Sequence, residues 1–262
     1  MFAIMRFRTW MIPCLMTGAA LRAETMVRDH EITVDDYFTL AVLGDGTISP
    51  DGKFIAYTDQ RWEPPAEKRN TDLWVVDVES RKTRRLTFDP ATEGAPQWSA
   101  DSRSIYFTSN PQRGDEKEPP YNGKKQVWRA ARDGGELFPI TRVEKGIDAF
   151  DIPGDGLTLL YTVSAEVIDD EWKELREKHK EVKYGHGVHE PSQLWKLDLQ
   201  SWRSEKWVDE KRHIEQVKRS PDGRRVAMIS SPNNELLSRE GWSRIDIYDT
   251  RTKKLSVITE EG

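Results

Sequence analysis

Short runs in which apolar and polar residues alternate follow one another along most of the chain, and a polar turn introduces each run. The fullest form of the turn is Ser49-Pro50-Asp51-Gly52, and the apolar run 54–58 comes directly after it. Pro presets the backbone of a turn, Asp bonds nearby amides, and Gly adopts the left-handed conformation that leads into a strand. The same pattern recurs around Asp101, Asp155 and Asp222. The sequence therefore predicts four β-hairpins, and the second hairpin, with Ser102 in place of Gly, is expected to be mildly strained.

A second hairpin follows the first in every repeat. In the first repeat the strand Leu73-Trp74-Val75-Val76-Asp77 leads to a closing strand that ends in Leu86-Thr87. Because successive side chains of a strand point to opposite faces, this alternation gives each strand one buried face. Four short strands that recur at intervals of about 50 residues are typical of β-propeller blades. We predict an all-β chain, a β-propeller of about four four-stranded blades in an incomplete ring, at approximately 45–88, 94–142, 146–208 and 213–259 within a propeller region of 45–262.

Long polar connections join the two hairpins of each repeat, and the third connection has a different pattern. Apolar residues recur there at steps of three and four, which is the spacing of one face of an α-helix. The residues of this stripe are Ile168, Trp172, Leu175, His179 and Val182. We therefore predict one helix, residues 166–183, inserted between the two hairpins of the third blade.

Residues 1–23 have the pattern of a secretory signal peptide. Arg6 and Arg8 precede the uncharged, mostly apolar run 10–21, and small residues follow it. The run is about half as long as a membrane-spanning helix requires. We predict that this segment is removed on export, to the periplasm or out of the cell, and that residues 24–44 lead into the propeller. A mis-assigned start codon or a buried N-terminal helix is the alternative that the pattern leaves open.

Composition narrows the classes of partner. The 40 Lys and Arg residues are outnumbered by 45 Asp and Glu, which gives a net charge of −5. This balance argues against a nucleic-acid partner, because phosphate binding relies on clustered Lys and Arg. Ten Trp residues indicate a folded chain, and no membrane contact is expected after signal cleavage. The single cysteine, Cys14, lies in the predicted signal peptide, so an internal disulfide is excluded.

No residue pattern in the chain identifies an active site or a cofactor site. We interpret His186-Gly187-Val188-His189 as a solvated loop, because its glycine disfavours the helix that would align metal ligands. Four acidic residues are interpreted as charges that favour a helix N-terminus: Glu166, Asp169, Asp170 and Glu171. Three tryptophans at equivalent strand positions are interpreted as core residues: Trp74, Trp128 and Trp195. Gly44-Asp45-Gly46 is interpreted as a turn. We predict no catalytic, cofactor-binding or metal residues, and the pattern identifies no substrate-binding residues.

The Ser-Pro-Asp-Gly turn, the Leu-Trp-x-x-Asp strand and the closing Leu-Thr occur together, and in combination they resemble the propeller of the prolyl oligopeptidase and acylaminoacyl-peptidase family of serine peptidases. The lead-in Asp36-Tyr37-Phe38-Thr39-Leu40 adds to this resemblance, which covers about residues 32–262. The chain is also similar, more loosely, to the periplasmic propeller of the Tol system. In the peptidase family the propeller covers an α/β-hydrolase domain and filters peptides by size. The resemblance therefore implies the N-terminal gating propeller of an exported serine peptidase that hydrolyses peptides.

The catalytic part of such a peptidase requires a Gly-x-Ser-x-Gly nucleophile elbow, followed by Asp and His. The nearest string here is Gly241-Trp242-Ser243-Arg244-Ile245, in which Ile stands at the place of the second Gly. We therefore expect the chain alone to be inactive, as a truncated N-terminal fragment whose peptide substrates require a hydrolase domain that it lacks. An incomplete ring is also expected to self-associate through its open blade faces. The alternative is a stand-alone periplasmic propeller that binds a protein or peptide partner.

Overall fold

The computed structural model describes residues 31–63, 67–165, 177–179, 191–210, 212–232 and 243–259. Within these ranges the chain forms four antiparallel sheets, each built from four consecutive strands, which we call blades 1 to 4 in chain order. Blade 1 contains β1 (Val42–Ile48), β2 (Phe54–Glu63), β3 (Lys68–Asp77) and β4 (Thr83–Arg85). Blade 2 contains β5 (Gly94–Trp98), β6 (Ser104–Ser109), β7 (Gln126–Ala131) and β8 (Phe138–Pro139).

Blade 3 contains β9 (Phe150–Asp151), β10 (Thr158–Ser164), β11 (Ser192–Asp198) and β12 (Ser204–Val208). Blade 4 contains β13 (Arg212–Arg219), β14 (Arg225–Pro232), β15 (Arg244–Asp249) and β16 (Lys254–Val257). The prediction of four-stranded β-propeller blades is thus confirmed. The inserted helix predicted at 166–183 lies outside the described residues, apart from 177–179.

The polar turns between the first and second strands form as their sequence indicates. In blade 1 the Ser49 hydroxyl donates to Asp51 Oδ1 at 2.6 Å, and the same oxygen accepts the amide of Lys53 at 3.1 Å. These two hydrogen bonds lower the pKa of the Asp51 carboxyl group, the bond from Ser49 most strongly. The same Ser–Asp hydrogen bond, 2.6 Å long, closes the turns of blades 2 and 4, at Ser99–Asp101 and Ser220–Asp222. The repeated turn residues therefore have a shared structural role.

A second carboxylate turn joins the third and fourth strands, and it explains the Asp at the end of the Leu-Trp-x-x-Asp strand. Asp77 Oδ1 accepts the amide of Ser80 at 2.7 Å, and this bond lowers the pKa of the Asp77 carboxyl group. Blades 3 and 4 repeat the arrangement, with Asp198 bonded to Ser201 at 2.8 Å and Asp249 to Thr252 at 2.6 Å. An Asp that bonds backbone amides in this way favours a tight turn.

The closing Leu-Thr has a structural reason as well. The Thr87 hydroxyl accepts the backbone amide of Leu73 at 2.8 Å, and the Thr141 hydroxyl accepts that of Val127 at 2.9 Å. In blade 4 the Thr259 hydroxyl accepts the amide of Ile245 at 2.8 Å. Each hydroxyl satisfies a donor beyond the end of the paired fourth strand, and in blades 1 and 2 that donor is buried, where an unpaired amide would be costly.

Neighbouring blades pack face to face, and a hydrophobic cluster fills each junction. Large buried side chains of the junction between blades 1 and 2 include Leu73 and Phe107. The junction of blades 2 and 3 is filled in part by Tyr106 and Leu159, and that of blades 3 and 4 by Leu160 and Met228. Among the described residues, no such cluster joins blade 4 to blade 1. Each blade therefore contacts its neighbours in chain order.

The residues before the blades form a separate small element. The chain divides into two compact units at Tyr37 and Phe38. The described part of the first unit begins helix α1 (Val34–Thr39), where the Thr33 amide donates to Asp36 Oδ2 at 2.6 Å and so caps the helix N-terminus. The sequence predicted this segment only as a lead-in to the propeller. Among the described residues, no helix has the length and apolar character needed to cross a bilayer.

Gly44-Asp45-Gly46 is not the turn that the sequence suggested. These residues lie inside β1, where Gly44 pairs with Thr58 and Gly46 with Tyr57, so that Asp45 is the extra residue of a β-bulge. The two glycines relax the backbone enough for the bulge, and the strand continues on both sides of it. The interpretation as a turn was therefore wrong, because local composition alone does not separate a bulge from a turn.

Candidate functional site

The first strands of the blades are the inner strands, because hydrogen bonds join them directly from blade to blade. The Ala95 amide of β5 donates to Asp45 Oδ2 of β1 at 2.9 Å. The Gln97 side chain of β5 donates to the carbonyl of Phe150 in β9 at 3.0 Å. The Arg219 amide of β13 donates to Asp151 Oδ2 of β9 at 3.0 Å. These strands form the most connected surface of the four blades, and we consider them first as a candidate site.

Bulges interrupt the inner strands near the ends that meet the long connections. Asp45 in β1 and Glu215 in β13 are extra residues of this kind, and the register of β5 shifts between Gly94 and Gln97. A bulge redirects side chains away from the regular ladder, and bulges are frequent beside binding sites. Two acidic side chains, Asp45 and Glu215, are thereby placed on the inner strands at this end of the blades.

A pocket of about 380 Å³ opens beside the bulge of β1. Its polar lining includes Asp45, Glu93, Asn110 and Lys125. The Glu93 side chain is buried, with Oε1 accepting a hydrogen bond from Ser109 at 2.6 Å. Burial raises the pKa of Glu93 from 4.5 to about 7, against the opposing effect of the Ser109 hydrogen bond. Glu93 is therefore a carboxyl group that exchanges a proton near neutral pH.

A group of charged residues at the same end of blade 1 is fully paired. Asp72 Oδ2 lies 2.8 Å from Arg85 Nη2, and Asp59 Oδ2 lies 2.8 Å from Arg61 Nη2. Burial raises the pKa of the Asp72 carboxyl group, while the hydrogen bond from Arg85 opposes this effect. Because both carboxylates have cationic partners, this group is best explained as structural.

The junction of blades 3 and 4 brings a serine next to a histidine. Ser192 Oγ lies 3.3 Å from His213 Nδ1 and accepts the amide of Ile214 at 3.0 Å. Ser192 is 0% exposed, so its hydroxyl is closed off from any substrate carbonyl. The pair resembles part of a catalytic arrangement but lacks the exposed nucleophile that acyl transfer requires. We assign it to the packing of the two blades.

The structure also gives the surroundings of other residues that the sequence singled out. Ser243, from the string nearest to a nucleophile elbow, donates to Glu215 Oε1 at 3.4 Å rather than to a histidine. Trp128 is buried in the core, whereas Trp74 and Trp195 are half-buried. Among the described residues, no group of three or more His, Cys, Asp or Glu is placed to hold a metal ion. The loop His186-Gly187-Val188-His189 and the acidic group Glu166, Asp169, Asp170 and Glu171 lie outside the described residues.

Parts of the chain are similar in sequence to parts of two peptidases. It is 25% identical over 154 residues to an uncharacterized peptidase, YuxL, of Bacillus subtilis, a match that covers 58% of this chain and 22% of that protein. It is 24% identical over 136 residues to dipeptidyl-peptidase 5 of Porphyromonas endodontalis, covering 52% of this chain and 18% of that one. The matches thus span about a fifth of the length of these relatives. No protein-family model matches the chain.

Solved structures share the fold at low sequence identity. Acylaminoacyl peptidase of Pyrococcus horikoshii has a TM-score of 0.56 at 12% identity, covering 86% of this chain and 33% of that one. The β-propeller domain of the Trilobed protease of Pyrococcus furiosus has a TM-score of 0.52 at 15% identity, covering 85% and 58%. The chain resembles the propeller part of prolyl oligopeptidase-family peptidases. The chain is also similar in fold to TolB of Acinetobacter baumannii, with a TM-score of 0.54 at 18% identity, covering 84% and 44%.

Two features of the candidate site could not be predicted from sequence motifs. The bulge at Asp45 and the buried carboxyl group of Glu93 form the polar side of the pocket, and neither belongs to a recognisable motif. A signal was present for the bulge, because two glycines flank a polar residue inside an otherwise apolar strand. No local signal marks Glu93, because its burial depends on the packing of blade 2 against blade 1.

Proposed function

We propose that the chain is the N-terminal gating propeller of an exported serine peptidase of the prolyl oligopeptidase family, and that the hydrolase domain is encoded on sequence outside these 262 residues. The observation that carries the proposal is the combination of propeller blades with sequence similarity to two peptidases. Ser192 and Ser243 agree with it, since Ser192 is buried and Ser243 bonds to Glu215. The chemistry is therefore assigned to another part of the protein.

In this proposal the blades control access and do not react. A serine on the hydrolase domain attacks a peptide carbonyl, with a histidine as general base and an aspartate to orient it. The inner strands limit which substrates reach that serine, and the bulged residues Asp45 and Glu215 place negative charge on their surface. The rigid hydrogen-bonded joints between inner strands support such a role, since a filter must keep its dimensions.

Export is part of the same proposal. It is supported by the charge pattern of Arg6 and Arg8 before the apolar run 10–21. An exported peptidase would meet peptides outside the cytoplasm, in the periplasm or beyond the cell. A fusion of residues 1–30 to a reporter enzyme that is active only after export is expected to be active. A reporter retained in the cytoplasm would contradict the export part alone.

The test of the peptidase role compares the chain with its extended reading frame. The full 262-residue chain, incubated with a fluorophosphonate probe and with aminoacyl and acyl-peptide substrates, is expected to show no labelled serine and no cleavage. The protein extended by the downstream coding sequence is expected to be labelled at one serine and to cleave short peptides but not folded proteins. Labelling of the 262-residue chain, or a downstream sequence without a nucleophile elbow, would contradict the proposal.

A stand-alone propeller that binds a protein or peptide is the second candidate. The observation that favours it is the fold similarity to TolB, which is as strong as the similarity to the peptidases. The pocket beside Asp45 and Glu93 offers such a propeller a polar binding surface. The same experiment separates the two candidates, because a stand-alone propeller predicts no hydrolase sequence downstream.

A further inference from the structure

The fourth strand of each blade meets the following blade at the outer edge of their junction. On one side stands a residue of the fourth strand, which is Arg84 in blade 1, Phe138 in blade 2 and Glu205 in blade 3. On the other side stands the turn between the third and fourth strands of the following blade. We call this contact the outer corner of a junction. Because the corner recurs, the junctions of blades 1 to 4 can be compared within one chain.

A polar contact closes the first and the last of these corners. At the junction of blades 1 and 2, Arg84 Nη1 donates to the backbone carbonyl of Asp133. At the junction of blades 3 and 4, Lys253 Nζ lies 2.9 Å from Glu205 Oε1. In both places a charged side chain of the fourth strand thus contacts the turn of the following blade.

The outer corner between blades 2 and 3 contains two aromatic rings instead. The ring centroids of Phe138 and Trp202 lie 5.9 Å apart, and the ring planes are inclined by 56°. Phe138 is 44% exposed and Trp202 is 50% exposed. Blades 2 and 3 each pack against a neighbouring blade on both sides. The exposure of the two rings is therefore a property of this corner and does not come from an uncovered blade face.

The backbone of the turn gives no reason for a tryptophan at this position. Trp202 has a φ of 57°, in the left-handed region. The residues at the same place in the other blades are left-handed as well: Arg81, Gly135 and Lys253. The turn therefore accepts a glycine or a solvated cation, and a bulky aromatic residue in this conformation is unusual. An exposed aromatic pair, at the one corner of the three that lacks a polar contact, indicates a binding role.

The two rings line a cavity of about 290 Å³ between the blades. This volume is at the lower end of the range for small-molecule sites and is suited to a single ring. The hydroxyl groups of Tyr161 and Ser204, 3.3 Å apart, supply part of its polar lining. Among the described residues, Arg142 is the only charged side chain in the lining, and no acidic side chain belongs to it.

The charge at this corner favours an anionic ligand. Arg142 Nη1 donates to the backbone carbonyl of Pro119 at 3.3 Å, which helps to orient the guanidinium group. A guanidinium group has five N–H donors, so Arg142 retains donors for a carboxylate. Arg129 adds a second cation, 5.5 Å from the ring centroid of Phe138. Aromatic rings beside two cations are complementary to a ligand that combines a ring with a negative charge.

We propose that the outer corner between blades 2 and 3 binds a ligand in which an aromatic ring stands next to a carboxylate. The ring packs on Phe138 and Trp202, and the carboxylate accepts hydrogen bonds from Arg142. A peptide with a carboxyl-terminal aromatic residue and a free aromatic acid both present this chemistry. The inference does not rest on the proposed function, since it uses only the geometry and the charge of this corner.

Isothermal titration of the full 262-residue chain with N-acetylphenylalanine tests the proposal. The expected Kd is about 0.1–1 mM, as for a ligand of this size. N-acetylphenylalanine amide lacks the carboxylate and N-acetylglycine lacks the ring, so each is expected to bind at least about tenfold more weakly. The peptide N-acetyl-Ala-Ala-Phe distinguishes the two sources of the ligand. Tighter binding than that of N-acetylphenylalanine assigns the site to peptide ends, and equal or weaker binding assigns it to free acids.

A double substitution removes the site with residues that the chain already uses at the next corner. Phe138→Glu with Trp202→Lys places there the pair that closes the corner between blades 3 and 4. The double variant is expected to keep the far-ultraviolet circular dichroism of the parent chain and to bind N-acetylphenylalanine at least about tenfold more weakly. Phe88→Glu is the matched control, because Phe88 is 69% exposed and lies 4.9 Å from the guanidinium carbon of Arg85, outside this cavity. This variant is expected to bind as the parent chain does.

Arg142→Gln tests the part of the carboxylate separately. The variant is expected to bind the acid and the amide of N-acetylphenylalanine with equal affinity, because the group that distinguishes them is absent. Unchanged binding by the double variant, equal affinity of the parent chain for the acid and the amide, or no binding by the parent chain at about 10 mM ligand would overturn the proposal.

Discussion

The backbone amide of Asp51 donates a hydrogen bond to the hydroxyl oxygen of Ser102, 3.1 Å away, and so joins the first turn of blade 1 to that of blade 2. Ser102 has a φ of 58°, in the left-handed region, where the equivalent residues Gly52, Gly156 and Gly223 have φ between 63° and 72°. An L-residue in this conformation costs roughly 1–2 kcal/mol. The departure from glycine therefore strains one turn and at the same time supplies a contact between blades.

Replacement of Ser102 separates these two effects. Ser102→Gly relieves the strain and loses the hydrogen bond, which contributes about 0.5–1.5 kcal/mol, so its free energy of unfolding is expected to stay within about 1 kcal/mol of the parent. Ser102→Ala keeps the strain and loses the bond, and it is expected to be the less stable of the two variants by about 1 kcal/mol. Urea unfolding measures both. Equal stability of the two variants would show that Ser102 is not strained.

The turns illustrate how far the sequence determines this fold. The Ser–Asp and Asp–amide hydrogen bonds link residues two or three apart, so the repeated turn residues are enough to predict them. The strain at Ser102 could be anticipated because three sister turns have Gly there. Its bond to Asp51 could not be anticipated, because the partners lie 51 residues apart and meet only when two blades pack.

The closing threonines are expected to stabilise the blades through their hydroxyl groups. Thr87→Val and Thr141→Val each leave a buried strand amide, of Leu73 or Val127, without its acceptor. An unsatisfied buried donor costs about 1–3 kcal/mol, and we expect a loss of this size in the free energy of unfolding. Thr87→Ser and Thr141→Ser retain the hydroxyl and are expected to lose less.

Thr259 in blade 4 provides a matched comparison. It accepts the amide of Ile245 in the same way, but this bond is exposed to water. Water can replace the lost acceptor, so Thr259→Val is expected to cost less than either buried variant. Thermal or urea unfolding of the three Val variants orders them. A loss at Thr259 equal to the loss at Thr87 would contradict an explanation based on buried amides.

The buried carboxyl group of Glu93 is expected to make stability depend on pH. Its pKa in the folded chain is raised to about 7 from 4.5, so the folded state holds the proton more tightly than the unfolded state does. The contribution is present in full below pH 4.5 and is lost as the pH rises through about 7. At about 1.4 kcal/mol per unit, the loss amounts to at most roughly 3 to 4 kcal/mol.

Glu93→Gln tests this dependence. The amide oxygen of Gln can still accept the hydrogen bond from Ser109, and the side chain carries no charge to bury. The variant is expected to match the parent below pH 4.5 and to exceed it in stability at pH 8. Urea unfolding across this range, compared between the two chains, cancels the titration of the other carboxyl groups. A constant difference from pH 4 to pH 8 would contradict a raised pKa.

Less of the candidate site than of the fold could be predicted from the sequence. Glu93 follows a turn region that is rich in polar residues, so the local sequence predicts an exposed side chain at this position. Its carboxylate accepts a hydrogen bond from Ser109, sixteen residues later in the same blade, and its backbone amide donates to the carbonyl of Thr71 in blade 1 at 3.1 Å. Asp45 is similar, since its carboxylate acquires a role only when the amide of Ala95 in the next blade reaches it. Both residues depend on contacts between blades, which no local pattern encodes.

Gln97 connects blades 2 and 3 through both polar atoms of its side-chain amide. The nitrogen donates to the carbonyl of Phe150 at 3.0 Å, and the oxygen accepts the backbone amide of Ile152 at 3.0 Å.

Gln97→Glu keeps the acceptor but turns a carboxylate oxygen toward the Phe150 carbonyl. We expect the free energy of unfolding to fall by about 1–3 kcal/mol at pH 8. Protonation of the introduced carboxyl group restores the donor, so the loss relative to the parent should shrink as the pH falls to 5. Gln97→Met, which has neither polar group, should lose stability equally at both pH values. Urea unfolding at pH 5 and pH 8 measures these differences. If Gln97→Glu loses the same stability at both pH values, the donated hydrogen bond does not hold the two blades together.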